Sequence, residues 1–170
     1  MDRLTTVACY LISSYENITS TKFDNSELML QKLMYFSQKT AYALTGTPLF
    51  ENQFEGWVHG PVLTELRYFF DSLPCYNEND LDLTETDKYI IDNTIHNYGK
   101  YAAWTLRELS HDEESWKKSR EGLSSNDIGT NVIMNEDIKK DAENYRILDH
   151  QYDMYLDEFE DIDIEEFEHV

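Results

Sequence analysis

The sequence predicts a mainly α-helical, compact single-domain fold over residues 1–148, with at most a minor two-stranded β element, followed by an acidic amphipathic segment over residues 149–170. Three observations support this prediction. Apolar residues recur at steps of three and four along most of the chain, which is the period of a helix with one buried face. Residues that cap or stop helices stand at the ends of these runs. A hydrophobic fraction of 41% in 170 residues can fill one core but hardly two.

The first two helices follow from their periodicity and their ends. One apolar face recurs from Leu4 to Tyr15, and the polar stretch "ENITS" is expected to end the first helix. The second helix is predicted over residues 24–46, with Asp24 and Glu27 in the spacing of a capping box and Gly46 as its stop. We expect this helix to be central, with five apolar residues facing inward: Leu30, Leu33, Met34, Ala41 and Leu44.

The stretch "TPLFENQFEGWV" is too short and too interrupted for a helix, so we predict an irregular or short-strand connection packed against the core. Pro61 then stands where helices tend to begin, and a third helix is predicted over residues 61–72. Gly60 relieves the restriction that a proline imposes on the residue before it.

Four further helical segments complete the predicted domain. Thr84 and Asp87 have capping-box spacing before a helix that stops at Gly99. Another helix is expected over residues 101–109, and a short helical stretch around Trp116. Asn135 is expected to cap the last helix, "EDIKKDAENYRIL".

The composition limits the classes of partner. Fourteen basic and 34 acidic residues give a net charge of −20, which disfavours nucleic acid and favours a basic protein partner, mainly through association rate and orientation. We find neither a secretory signal pattern nor the ~20 apolar residues that span a bilayer. The two cysteines are far apart and lack metal spacing, as expected for a reducing compartment. We therefore expect a cytoplasmic protein that binds no membrane.

Residues 149–170 carry 10 acidic side chains and no Lys or Arg, and so supply half of the net charge. Aromatic and aliphatic residues recur at helical steps from Tyr152 to Ile162, whereas "DIDIEEFEHV" nearly alternates and is expected to be extended or frayed. This segment could dock on its own domain or bind a partner through its aromatic residues and carboxylates. A third interpretation is that the carboxylates imitate the phosphates of a nucleic acid strand.

His59 and His111 are the candidate acid or base groups, but the motifs that would support catalysis are missing. We find no phosphate-binding glycine loop, no nucleophile elbow, no His-Glu-x-x-His helix and no zinc spacing. No metal, cofactor or enzymatic activity is predicted. We interpret both histidines as structural hydrogen-bonding residues, with partner contact and catalysis as the alternatives.

Four segments in order, "LMLQKLMYFSQ", "FEGWVHGPVLTELRYFF", "ELSHDEESWKKSR" and "MNEDIKKDAENY", resemble the Panacea domain of SocA-like and GepA-like phage-associated antitoxins over about residues 4–147. Ser110 departs from the threonine that the family often has. The resemblance implies a compact helical antitoxin of prophage-type toxin–antitoxin pairs that inactivates its toxin by direct contact, and in some members delivers it to an ATP-dependent protease. No catalytic residue is carried over. The family motif falls on residues that are mostly framework candidates: Gln31, Lys32, Leu33, Tyr35, Trp57, His59, Gly60, Pro61, Val62, His111 and Trp116.

These observations lead to the hypothesis of an antitoxin-like protein that binds a cognate toxin. The alternative is a phage-encoded inhibitor of a host nucleic-acid enzyme or defence system, acting as an acidic nucleic acid mimic. The candidate contact residues lie in the segment "EGWVHGPVLTEL", in the segment "SHDEESW" and in the C-terminal segment: Trp57, His59, His111, Tyr152, Tyr155, Asp157, Glu158, Phe159, Asp161 and Phe167.

Overall fold

The structure, a computed structural model, describes residues 1–24, 26–67 and 77–145. Six α-helices lie in these ranges: α1 (Arg3–Thr19), α2 (Glu27–Thr45), α3 (Glu85–Tyr98), α4 (Ala103–His111), α5 (Glu114–Ser119) and α6 (Asn135–Glu143). Two strands, β1 (Glu55–Trp57) and β2 (Gly60–Val62), form a two-stranded antiparallel sheet. Single 3-10 turns cover Thr64–Leu66 and Glu78–Asp80. The predicted fold, mainly helical with a minor two-stranded element, is confirmed, while the segment 149–170 and its boundary lie outside the described residues.

Helix α2 is the centre of the domain, as predicted. It packs against α1, α3, α4, α6 and β2, and every residue from Leu30 to Tyr42 is buried. A helix that is buried around its whole circumference cannot keep a polar face in water, so its polar side chains must find partners inside the protein. The expectation that Leu44 faces inward is wrong: Leu44 is 37% exposed, because the last turn of α2 extends past the surrounding helices.

Two helix starts differ from prediction. Asp24 does not cap α2; the hydroxyl of Ser26 accepts the bond from Met29 N at 3.2 Å. Asn135 is the first residue of α6, and the cap position is occupied by Met134, which makes no side-chain cap bond. At α2, several polar residues near the start compete for the cap position. At α6, Asn135 is itself the first helical residue, so the cap position falls one residue earlier, on Met134.

Three other predicted ends are confirmed. Gly46 ends α2 with a φ of 71°, the left-handed conformation that glycine adopts without strain. Thr84 and Asp87 form the reciprocal capping box of α3, and α1 ends within "ENITS" at Thr19. Helix α6 ends at Glu143, earlier than the predicted stretch.

The third helix predicted from Pro61 is wrong in its first half. Gly60–Val62 is strand β2, and only a 3-10 turn follows at Thr64–Leu66, while residues 68–72 lie outside the described ranges. Pro61 stands opposite Gly56 in the hairpin. At this pair the backbone groups of both residues point away from the partner strand. Proline has no N–H to donate, but at such a position it removes no bond between β1 and β2.

Residues 128–133 run along the other side of β1. Val58 N donates to Ile128 O at 2.8 Å, Gly56 N to Asn131 O at 2.8 Å, and Ile133 N to Phe54 O at 2.7 Å. The hairpin is therefore held between α2 on one side and this segment on the other.

Candidate functional site

The inner side of the hairpin is held by side chains of α2. Gln31 binds both backbone groups of Leu63: its Oε1 accepts from Leu63 N at 2.7 Å and its Nε2 donates to Leu63 O at 2.9 Å. Lys32 Nζ donates to Pro61 O at 2.8 Å. Seven residues further along the same face, Gln38 accepts from Leu49 N at 2.8 Å and donates to Phe50 O at 2.9 Å. The side-chain amides of Gln31 and Gln38 thus provide hydrogen-bond partners for buried backbone groups that are not paired within the two-stranded sheet.

Gly60 is required by its conformation and by its surroundings. Its φ of 100° disfavours any residue with a side chain. A Cβ at this position would lie 2.5 Å from Ser110 Oγ and 2.7 Å from Lys32 Cε. The close approach of the hairpin to α2 and α4 therefore depends on this glycine.

The outer side of the hairpin is supported by α5 and the residue that follows it. Trp116 Nε1 donates to Trp57 O at 2.9 Å, and His111 stacks on Trp116 with ring centroids 3.9 Å apart. The Arg120 guanidinium donates to Gly56 O at 3.1 Å, to Ile128 O at 2.8 Å and to two further carbonyls of the loop 124–127. Arg120 was not predicted, since a basic residue after a short helix gives no sequence signal for binding distant carbonyls.

The predicted contact residues of the body lie around this hairpin. Trp57 is half-buried: its Nε1 donates to Glu55 Oε2 at 2.7 Å, and the Arg67 guanidinium lies 4.8 Å from its ring centroid. His59 is exposed at the hairpin turn, and His111 is half-buried at the end of α4. The structure thus brings both Trp57 and His111 into contact with Trp116. The seven predicted contact residues of the tail lie outside the described part: Tyr152, Tyr155, Asp157, Glu158, Phe159, Asp161 and Phe167.

Two residues of α4 extend the exposed surface at the hairpin turn, and we call His59, Trp104 and Arg107 the turn cluster. Trp104 is 58% exposed, and the Arg107 guanidinium lies 4.4 Å from its ring centroid. Arg107 Nε also donates to His59 Nδ1 at 3.1 Å, and the His59 and Trp104 rings are 6.1 Å apart. Sequence reasoning missed Trp104 and Arg107; their only signal was a spacing of three residues on one helix.

With this geometry in hand, we compared the chain with known proteins. The family model of the SocA-like antitoxins, the Panacea domain, matches residues 30–117, which is just over half of the chain. The chain belongs to this family. The match is narrower than the predicted 4–147 and includes α2, the hairpin, the turn cluster and the His111–Trp116 stack. No curated protein and no solved structure matches the chain.

Most motif residues of the Panacea domain have structural roles here, as predicted for a framework. Tyr35 OH lies 2.6 Å from Ser115 Oγ, and Asp141 Oδ2 accepts from Ser115 N at 2.9 Å, so α2, α5 and α6 meet at one buried network. Lys39 pairs with Glu113 at 2.6 Å. Burial nevertheless raises the pKa of the Glu113 carboxyl, and Lys39 only partly offsets this effect.

The His111 side chain is not suited to donate a proton at neutral pH. Burial, followed by the nearby Arg107 charge, lowers the pKa of His111 to about 4, so its imidazole is neutral at neutral pH. Its Nε2 atom is buried, and no group among the described residues hydrogen-bonds to it. The His111 ring stacks on Trp116, and the hydrogen-bonding role predicted for this side chain stays a prediction. Among the residues that the structure describes, no three His, Cys, Asp or Glu side chains are grouped to hold a metal ion.

The buried Lys32 side chain is expected to make the free energy of unfolding depend on pH. Burial, with a smaller contribution from Arg107, lowers the pKa of Lys32 to about 7, from 10.5 in the unfolded chain. Between these values the unfolded chain binds the extra proton, so the free energy of unfolding must rise with pH. We expect a rise of about 2 kcal/mol between about pH 7 and about pH 9, measured by urea unfolding at each pH.

Lys32→Met is the matched variant for this test. Its unfolding free energy should stay nearly level over the same range, because methionine has no proton to lose. Above about pH 9, the half-buried Cys9 thiol, whose pKa is raised to about 11 mainly by burial, would lower the stability of both proteins. Parallel profiles of the two proteins below that pH would contradict the assignment to Lys32.

No helix in the described ranges is long and apolar enough to cross a membrane.

Proposed function

We propose that the chain is an antitoxin that neutralises a cognate toxin by direct protein–protein contact, and that the turn cluster is the centre of the contact surface. Membership of the SocA-like family supports an antitoxin-like role. The observation that favours this surface is the exposed Trp104 beside Arg107 at the tip of the hairpin that carries the family motif. All three cluster residues fall within the matched range 30–117.

The chemistry of the turn cluster suits a binding surface. Trp and Arg side chains supply most binding hot spots, because they bury large areas and pair with polar groups at the same time. Arg107 already holds the Trp104 ring and His59 in place, and Gln31 and Lys32 fix the hairpin beneath them. A surface that is ordered before binding loses little side-chain entropy on complex formation.

Charge supports a basic toxin as the partner. The net charge of −20 would speed association with a basic surface and align it, while the turn cluster would supply affinity. The acidic segment 149–170, with its aromatic residues, is proposed as a second contact. Delivery of the bound toxin to an ATP-dependent protease in the cytoplasm is proposed from the family resemblance alone.

The arrangement of the histidines argues against an enzyme. Arg107 donates to His59 Nδ1, so in the neutral His59 ring the proton is on Nε2 and neither nitrogen has a free lone pair. The neutral His111 ring stacks on Trp116. A general base needs a partner that orients it and a free nitrogen directed at the substrate. We therefore propose binding rather than catalysis as the activity.

Trp104→Ala should abolish toxin rescue in cells that co-express the chain with the toxin encoded by the adjacent gene. Loss of a hot spot costs about 2 kcal/mol or more, which weakens affinity by about 30-fold. Tyr89→Ala is the matched control, since Tyr89 is an exposed aromatic residue on α3, 41% exposed, outside the turn cluster. Affinity is measured by calorimetry, and folding by circular dichroism.

Wild-type affinity and rescue in Trp104→Ala would overturn the contact surface but leave the antitoxin role open. Failure of the wild-type chain to bind any product of a neighbouring gene would count against the role itself. His59→Ala with His111→Ala provides the third comparison. A folded double variant that binds the toxin but fails to rescue cells would restore an enzymatic interpretation.

A further inference from the structure

The segment 128–134 exposes an unusual amount of apolar surface. It contains three of the seven large hydrophobic side chains that are exposed in the described part of the chain: Ile128 at 64%, Val132 at 43% and Met134 at 53%. Single exposed apolar residues are common, but several on one short segment point to a surface that another group covers.

The same segment has a free backbone edge. Val132 stands opposite Glu55 in an antiparallel bridge, and the bonds of this bridge are made by its neighbours, Asn131 O and Ile133 N. The N–H and C=O of Val132 therefore point away from β1. No group among the described residues bonds to either of them. An unpaired edge of this kind is a template for one more strand.

A shallow groove adjoins this edge, between α5, α6 and the segment itself. Its volume is about 310 Å³, and Val132 and Met134 form its apolar wall. A neighbouring depression of about 390 Å³ is also lined by Lys118, together with Lys117 and Lys140. Carboxylates also line both, but Lys118 pairs with Asp137, whereas Lys140 has no ion pair within the described ranges. Acidic side chains outnumber lysines in the groove and in the depression alike, so shape and the free backbone edge, rather than charge, would hold an added segment there.

The chain itself contains a segment that matches this edge. Residues 161–165, "DIDIE", alternate strictly between acidic and β-branched apolar residues, which is the pattern of a strand with one apolar face. The described chain ends at Tyr145, four residues after Asp141, which lines the neighbouring depression. The 15 intervening residues can span roughly 50 Å, whereas α6 is only about 14 Å long, so the reach is ample.

We propose that residues 161–165 add as a third strand to the free edge at Val132. In this arrangement Ile162 and Ile164 pack beside Val132 and Met134, while the alternate carboxylates project from the opposite face of the strand into solvent. The tether keeps the segment at an effective concentration on the order of 1 mM, so a contact with an intrinsic dissociation constant of about 0.1 mM is about 90% formed. The inference concerns the isolated chain and does not depend on the proposed toxin.

Amide hydrogen exchange on the full-length chain tests this strand. The amide of Val132 and the amide of the tail isoleucine that pairs with it, Ile162 or Ile164, should exchange about tenfold more slowly than in the double variant Ile162→Asp/Ile164→Asp, as a contact that is about 90% formed requires. Val132→Pro should release the tail amides to the same extent, because it removes only the outward N–H and leaves the bonds of Asn131 and Ile133 to β1. Val132→Thr keeps that N–H and should retain most of the protection.

The folded body is monitored in the same experiment by the amides of α2, which should be unaffected in every variant. Equal exchange of the tail amides in the wild type and in Val132→Pro would overturn the proposal. Protection that disappears as the protein is diluted would also overturn it, because the strand would then come from a second copy of the chain.

Discussion

Gln31→Leu is expected to lower the free energy of unfolding by about 4 kcal/mol, because two buried backbone groups lose their partner at about 1–3 kcal/mol each. Gln31 makes both hydrogen bonds of the Leu63 backbone, one to its N–H and one to its C=O. Leu63 is fully buried, so water cannot replace the amide without opening the structure. Leucine is close to glutamine in size and is a good helix former, so the loss reports the hydrogen bonds rather than the packing or the helix.

The matched control is Gln53→Leu, the same substitution at an exposed position of the connection. It should change stability by no more than about 0.5 kcal/mol. Urea unfolding followed by circular dichroism measures both variants. Equal stabilities of the two would mean that Leu63 finds other partners, and the role of α2 as a hydrogen-bonding scaffold would be wrong.

Gly56→Ala is expected to destabilise the protein by about 3 kcal/mol, near the upper end of the costs of overpacking. A Cβ at Gly56 would lie 1.9 Å from Ser119 Oγ and 2.9 Å from Ser119 Cβ. The hairpin would have to move away from α5. That movement would stretch the bonds from Gly56 N to Asn131 O and from Trp116 Nε1 to Trp57 O.

Ser119→Gly supplies the compensating change, since it removes both atoms that the new methyl group would meet. Alone it should cost about 0.5 kcal/mol, because glycine is less favourable in a helix than serine by about that amount. Combined with Gly56→Ala it should recover most of the lost stability, measured by thermal unfolding as a double-mutant cycle. Additive losses in the double variant would show that overlap with Ser119 is not the cause.

The helices could be predicted from the sequence because each depends on nearby residues. The capping box at Thr84 and Asp87 and the stop at Gly46 act within one turn of the helix, so they appear in the same form in the sequence and in the structure. Pro61 shows the limit of this reasoning. A proline fits the start of a helix and an unpaired strand position equally well, and pairing with Gly56 decided for the strand.

Some residues of the candidate site could likewise be predicted from the sequence, and others could not. The hairpin motif, His111 and Trp116 could be recognised as framework from their family pattern, and the turn residue His59 was identified as a contact candidate. The other two members of the turn cluster could not, since Arg107 reaches His59 across 48 residues. A side chain that binds a distant residue has no periodic signal in its own neighbourhood, so only the packing of α4 against β2 reveals it.

By itself, the sequence determined the helical class, most helix ends and the antitoxin family, because periodicity, caps and motifs are properties of short stretches. Only the tertiary structure decided whether the polar residues on α2 are buried or exposed to solvent. Gln31, Lys32 and Gln38 would be assigned to a solvated face by their chemistry, yet all three are buried and bind backbone groups of the connection around the hairpin. The physical reason is that a helix enclosed on every side has no solvated face, and whether it is enclosed depends on elements far away in the chain.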